Sequence, residues 1–182
     1  KKIFLTHQKI YWIEFFCLNI IFNFNNIFQI LKFNMLNLAF PKYEFRLKKV
    51  NQKKFIFDEI RKKYIQLTAE EWVRQNCIKF LISKKKYNKD LISVEKKIKL
   101  SNSISKRFDI VIYNKYAECE LLVECKAPNI EINQKTFDQI FKYDTILNAK
   151  FLMLTNGIIH YYCKVDKLND KIFFLKNLPE KK

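Results

Sequence analysis

The sequence predicts an α/β protein: an αβββαβ core whose mixed sheet is flanked by helices, with an extra C-terminal β-hairpin. Three observations predict it. A helix start is written at Thr68, two β-rich segments are separated by only four residues, and a second helical segment precedes a short buried strand. The 182 residues suit one domain with a real core, and 49% hydrophobic against 29% charged residues mark it as globular.

Residues 43–48 and 55–67 alternate loosely and read as short strands, with a polar turn near Asn51. Thr68 and Glu71 have the spacing of a capping box, a hydroxyl at the N-cap and a carboxylate three residues on. Val73, Cys77, Phe80 and Leu81 then fall on one helical stripe, and the Lys84–Lys86 run suits the helix C-terminus. Residues 92–100 alternate as a strand. Residues 107–113 (RFDIVIY) and 119–126 (CELLVECK) are β-rich, and 114–117 allow a tight hairpin between them. Pro128 stops the last of these strands. A second helix spans 134–148, with Phe137, Ile140, Phe141 and Leu147 on its apolar side. Residues 150–155 read as a buried strand, Asn156-Gly157 is the strongest hairpin signal, and 158–164 return. A last strand lies near 172–175, and no internal repeat appears.

Composition excludes several functions. Gly157 is the only glycine. A P-loop needs two and a dinucleotide-binding fingerprint two or three, so neither a nucleotide-driven motor nor a Rossmann cofactor site is encoded here. The five cysteines (Cys17, Cys77, Cys119, Cys125 and Cys163) form no CxxC pair, and with His7 and His160 they give no zinc spacing. They read as buried reduced thiols, which places the protein in the cytoplasm. The formal charge is +17. It fits a nucleic-acid partner, but abundant Lys, Asn, Ile and Phe also follow from an AT-rich coding bias.

The first 34 residues stand apart. Their apolar runs are broken by Glu14, Asn19, Asn23, Gln29 and Lys32, which argues against a membrane span or a signal peptide. Met35 is the expected natural start. Residues 1–34 are then a non-native or disordered extension and 35–182 the domain, with a membrane-associated N-terminal helix as the alternative. Residues 1–34 carry four lysines against Glu14, so removing that +3 lowers the charge to +14.

One group of residues carries chemistry. A hairpin turn near residue 116 pairs positions whose numbers sum to about 233, which puts Asp109 opposite Glu124. Glu124 and Lys126, two apart on one strand, share a face. Two carboxylates and an ammonium thus converge at one end of the sheet, inside an otherwise apolar strand where uncompensated charge is costly. Two hard oxygens suit Mg²⁺. A bound water could then attack phosphorus, with Lys126 positioning it or offsetting charge on the phosphate. A plain ion pair among the same residues is the competing reading.

RFDIVIY followed by LLVECKAP resembles the PD-(D/E)xK nuclease superfamily. More narrowly, the chain from Met35 onward is similar to the type I restriction enzyme R protein N-terminal domain family. IFDEIRKKYIQLTAEEWVRQ, TFDQIFKYD and LTNGIIHYYC fit as well. The resemblance implies a restriction-endonuclease-like fold in a bacterial, Mg²⁺-dependent nuclease, Mn²⁺ substituting. It implies metal ligands at Asp109 and Glu124, a catalytic lysine at Lys126 and an auxiliary acid at Glu71. Gln139 and Tyr143 match a QxxxY motif at i, i+4 on the second helix, and Arg74 and Gln75 are candidate phosphate contacts. Each has a plainer alternative: Glu71 as the capping-box partner, Gln139 and Tyr143 as flanks of a packed face, Arg74 and Gln75 on an exposed helix face. Phe108 stands where the motif's name has proline. DNA is the expected partner, with other restriction-system subunits or a second copy possible, and no nucleotide or membrane. A nucleic-acid-binding module with weak or no turnover, or a structural protein using residues 1–34, are the rival functions.

Overall fold

In the computed structural model the described residues are 37–99, 105–169 and 171–181, so the expectations for residues 1–34 lie outside them. Among the described residues the strands form two sheets. A small antiparallel sheet comes first: β1 (Leu47–Val50), β2 (Lys53–Asp58) and β3 (Lys63–Gln66). The stretch read as one strand over 55–67 is folded back on itself. Asp58 is fully buried, and its Oδ1 accepts from the backbone N–H of Ile60 and Arg61 at 2.8 Å each, which closes the turn.

The large sheet has the order β4-β5-β6-β7-β8-β9. Its strands are β4 (Ile92–Lys99), β5 (Ser105–Tyr113), β6 (Cys119–Cys125), β7 (Phe151–Thr155), β8 (His160–Asp166) and β9 (Lys171–Leu175). Among the described residues the two α-helices are α1 (Ala69–Ser83) and α2 (Gln134–Leu147). The expected αβββαβ order and C-terminal hairpin are therefore present. β6 and β7 pair in parallel, and α2 makes the crossover that such a pairing requires. Both strands are buried at every position, because each sheet face is covered. Val73, Cys77 and Leu81 of α1 pack on Ile110, Ile112, Leu121, Val123 and Met153. Ile140 of α2 packs on the opposite face with Val111, Leu122, Leu152 and Leu154.

Thr68 caps α1 as its sequence spacing predicts, Oγ1 accepting from the Glu71 N–H at 3.1 Å. The β7–β8 hairpin turns at Asn156-Gly157, but over four residues rather than two. Asn156 Oδ1 accepts from the N–H of Ile158 and Ile159, which holds the wider loop. No helix among the described residues is long and apolar enough to cross a membrane. Cys77, Cys119, Cys125 and Cys163 are buried free thiols.

Gly157 has φ +83°, and a Cβ there would stand 2.7 Å from Leu38 Cδ2 and 3.0 Å from Val73 Cγ2. Gly157→Ala is expected to cost about 1–3 kcal/mol through left-handed strain plus this crowding, read as a lower urea midpoint; an unchanged midpoint would show that Leu38 yields freely.

Candidate active site

The β5–β6 hairpin follows the predicted register, with Ile110 opposite Val123, Val111 opposite Leu122 and Ile112 opposite Leu121. The ladder stops one residue short of Asp109. On the other side, β4 pairs Val94 with Ile110 and Lys96 with Phe108, leaving Glu95 and Asp109 between them without a paired position. Glu95 has φ +55° in mid-strand. Phe108 packs in the α2-side core and Ile110 in the α1-side core, so alternation breaks at Asp109. The expected cross-strand pairing of Asp109 with Glu124 is therefore not made. Freed from the ladder, Asp109 Oδ2 accepts from the N–H of Cys125 at 2.7 Å, while Oδ1 accepts from Arg74 Nη2 at 2.9 Å.

Glu124 stands at the same end of the sheet, on the α2 side. Its Oε1 accepts from Lys126 Nζ at 2.7 Å and from Gln139 Nε2 at 2.6 Å. Gln139 Oε1 in turn lies 3.3 Å from Lys126 Nζ, so this one amide from α2 bridges acid and ammonium. Among the described residues the polar contacts of Glu124 both fall on Oε1, which leaves Oε2 open. Glu124 is 5% exposed. Burial, then the nearby Asp109 carboxylate, push its pKa up to about 7 against the pull of Lys126. Burial works to lower Lys126, but Glu124, Asp109 and Glu70 outweigh it and the ammonium is held above its ordinary value. Lys126 is therefore a cation at neutral pH. The Tyr143 side chain lies outside what the structure describes.

Arg74 and Gln75 are buried, not on an exposed helix face. Arg74 reaches Glu70 and Asp109 at 2.9 Å, Glu95 at 3.0 Å, and Glu71 through Nη1. Its donors are thus turned to carboxylates rather than toward a phosphate, and Nε is buried without a hydrogen-bond partner among the described residues. Burial works against the charge, yet Asp109, Glu71 and Glu95 raise the Arg74 pKa still further. Gln75 Nε2 donates to Asp58 Oδ2 at 2.8 Å and to Glu71 Oε1 at 2.9 Å. Glu71 also receives Arg61 Nη2 at 2.5 Å. Its carboxylate is enclosed by three donors and closes neither the second half of the capping box nor the site.

A family model described as the type I restriction enzyme R protein N terminus matches residues 69–179. The chain belongs to that family. The R protein N-terminal match starts at α1 and takes in the whole large sheet, leaving β1–β3 before it. A solved structure described as a fragment of an HsdR subunit of a type I restriction enzyme from Vibrio vulnificus YJ016 is similar at 22% identity, with a TM-score of 0.43. The alignment covers 63% of this chain and 24% of that one, so the chain spans about a quarter of that relative. No curated protein sequence matches significantly.

One acid of the site escapes sequence reasoning. Glu70 is half-exposed at the start of α1, and burial followed by the Asp109 charge raises its pKa. Glu70 also adds to the field on Glu124 and Lys126. The signal was present in Glu70 and Arg74 at i, i+4, a pair that ties Glu70 to the residue holding Asp109. Among the described residues no group of three or more His, Cys, Asp and Glu is arranged to hold a metal. The donor set is two carboxylates, Asp109 and Glu124. That fits a hard divalent ion which keeps most of its waters, and such an ion would offset the buried negative charge that burial and Asp109 make costly at Glu124.

Two outcomes follow from these contacts. Arg74→Ala strands the buried Glu71 and half-buried Asp109 and should cost about 3–5 kcal/mol in chemical denaturation; a loss under about 1 kcal/mol would mean the carboxylates find water. For Glu124 the folded pKa lies above the ordinary carboxylate value. The folded state thus favours the neutral acid, and stability present below that value drains as pH rises toward 7. In EDTA the protein should lose about 1–3 kcal/mol from this group between acidic and mildly alkaline pH. Glu124→Gln should abolish that loss, and identical pH profiles for both proteins would assign it elsewhere.

Proposed function

We propose that this chain is a Mg²⁺- or Mn²⁺-dependent nuclease domain that hydrolyses DNA phosphodiester bonds. The observation that carries the reading is the convergence of Asp109, Glu124 and Lys126 at one end of the sheet, with Gln139 fixing the acid and the ammonium together. Membership of the R protein N-terminal family supports the restriction setting, in which DNA, further subunits of the system or a second copy would be the partners.

A divalent ion held by Asp109 and Glu124 would supply Lewis acidity toward a phosphate oxygen and toward water. The chain's own groups do the rest. The backbone N–H of Cys125 and the Arg74 guanidinium hold Asp109 in one orientation from two sides. Gln139 pins Glu124 through Oε1 and leaves Oε2 as the open ligand atom. Lys126, partly exposed and held as a cation, is suited to donate to a non-bridging phosphate oxygen and to offset the charge that grows there. Its raised pKa makes it a poor general base, which favours this role over taking a proton from water.

A second reading has its own support. Arg74 already neutralises part of the Asp109 charge, and no three-ligand cluster is present among the described residues. Both fit a nucleic-acid-binding module with weak turnover.

The test is nicking of supercoiled DNA with Mg²⁺ or Mn²⁺, beside Lys126→Ala and with calorimetry of Mn²⁺ binding to wild type and Asp109→Ala. The nuclease reading expects metal-dependent nicking reduced about 10²–10⁴-fold by Lys126→Ala, and metal binding lost in Asp109→Ala. A folded protein that binds metal but leaves every DNA form intact would shift the assignment to the binding module.

A further inference from the structure

The small sheet β1–β3 lies outside the family match. Strand alternation divides it. Ile56 and Asp58 are buried toward α1, where Gln75 binds Asp58 and Arg61 binds Glu71. Phe55, Phe57 and Tyr64 therefore lie on the opposite, outward face, with Tyr64 cross-strand from Phe57 and Lys48 cross-strand from Phe55. Arg46 extends the pairing, its carbonyl accepting from the Phe57 N–H at 2.9 Å.

The outward aromatics carry cations. The Arg46 guanidinium carbon stands 3.7 Å from the centre of the Phe57 ring. Lys48 Nζ stands 4.2 Å from the Tyr64 ring centre and 5.8 Å from that of Phe55. Exposed cation–π contacts contribute only about 0.5–1 kcal/mol each, which makes them weak as structural cement. They do bias two flexible side chains toward this face, which lowers the ordering cost of binding an anion. Arg46 and Lys48 are two residues apart, about 6.8 Å along a strand, which equals the rise of about two nucleotides on one strand of B-form DNA.

The charge on this segment is one-sided. Residues 42–67 hold nine Lys and Arg against three Asp and Glu. Two of those acids are already taken, Asp58 by Arg61 and Glu59 by Lys79. β3 leads through Leu67 directly into Thr68 and the acids at the start of α1, so the face and the candidate site are joined by one short stretch of chain.

We propose that the outer face of β1–β3, through Arg46, Lys48, Phe55, Phe57 and Tyr64, binds the phosphodiester backbone of a nucleic acid. It is a second contact surface beside the Asp109–Glu124–Lys126 end of the large sheet, and it rests on the nuclease reading only for what happens to the bound strand. Cations on aromatic supports give sequence-independent affinity, and rings uncovered by a displaced cation can stack on unpaired bases.

The test is fluorescence anisotropy with the full chain in EDTA, where cleavage cannot occur, using a labelled single strand and a duplex of equal length. Arg46→Glu/Lys48→Glu should weaken binding about tenfold. For two lost phosphate contacts it should also flatten the slope of log K against log salt by about 1.4 on the single strand or about 1.8 on the duplex. Arg46→Gln/Lys48→Gln should do the same to a smaller extent with an unchanged circular dichroism spectrum. Lys171→Glu/Lys176→Glu, an equal charge change on exposed residues at the far edge of the large sheet, is the control and should change binding less than twofold. Loss on either probe confined to the Arg46/Lys48 variants supports the surface. No loss, or an equal loss in the control, overturns it. Because the readout is binding without metal, a failed nicking assay would sink the nuclease reading and leave this one standing.

Discussion

A guanidinium buried among four carboxylates sits where the two sheets and the first helix meet. Arg74 is 4% exposed and pairs with Glu70, Glu71, Glu95 and Asp109. Burying such charges costs several kcal/mol per ion, recovered only if the geometry and further hydrogen bonds are good. The contacts around Arg74 supply them. Glu71 is completed by Arg61 and Gln75, and Asp109 by the Cys125 N–H. Glu95 is completed by Arg107. The irregular backbone at Glu95 and the unpaired position at Asp109 are what let two strand residues reach a helix residue on one side of the sheet. The strain is local, and it lies where function is proposed, as strained backbone commonly does.

Charge balance at the neighbouring end works the other way. Glu124 is buried, the Asp109 carboxylate adds repulsion, and Lys126 offsets the two only in part. Glu124 therefore sits near neutrality in its proton affinity rather than in the usual carboxylate range. A site that holds a proton loosely at physiological pH can exchange it for another cation at little cost. Gln139 contributes no charge, only direction, since its amide donates to the acid and accepts from the ammonium. Asp109 thus belongs to both arrangements, one of the acids held by Arg74 and the neighbouring charge felt by Glu124.

The small sheet is tied to this arrangement through Asp58, Arg61 and Gln75 rather than through an extension of the large sheet. The fully buried Ile56 and a ring contact between Phe45 and Trp72 complete the enclosure of α1. That enclosure explains why α1 can bury Glu71 and Gln75, which Arg61 and Asp58 meet from the small-sheet side. Its inner neighbours are hydrogen-bonding groups, and its outer ones belong to a sheet whose free face is basic.

The sequence by itself determined the elements and much of the hairpin. Thr68 capping α1, the alternation of 107–113 and 119–126, and the turn at Asn156-Gly157 depend on hydrogen bonds and side-chain periods within a few residues, so they can be read locally. Glu124 and Lys126 sharing a face follows from the two-residue period of a strand. The tertiary structure decided the rest. Arg74 and Gln75 look like an exposed helix face until β4 and β5 bring Glu95 and Asp109 to Arg74 and β2 brings Asp58 to Gln75. Glu70, not Glu71, lies with the site because Arg61, across the turn into α1, claims Glu71. Asp109, out of its ladder, has its carboxylate held by Arg74 on one oxygen and by the Cys125 N–H on the other. Which charges are compensated depends on neighbours far apart in sequence and on how much water they exclude, and neither is written in local spacing.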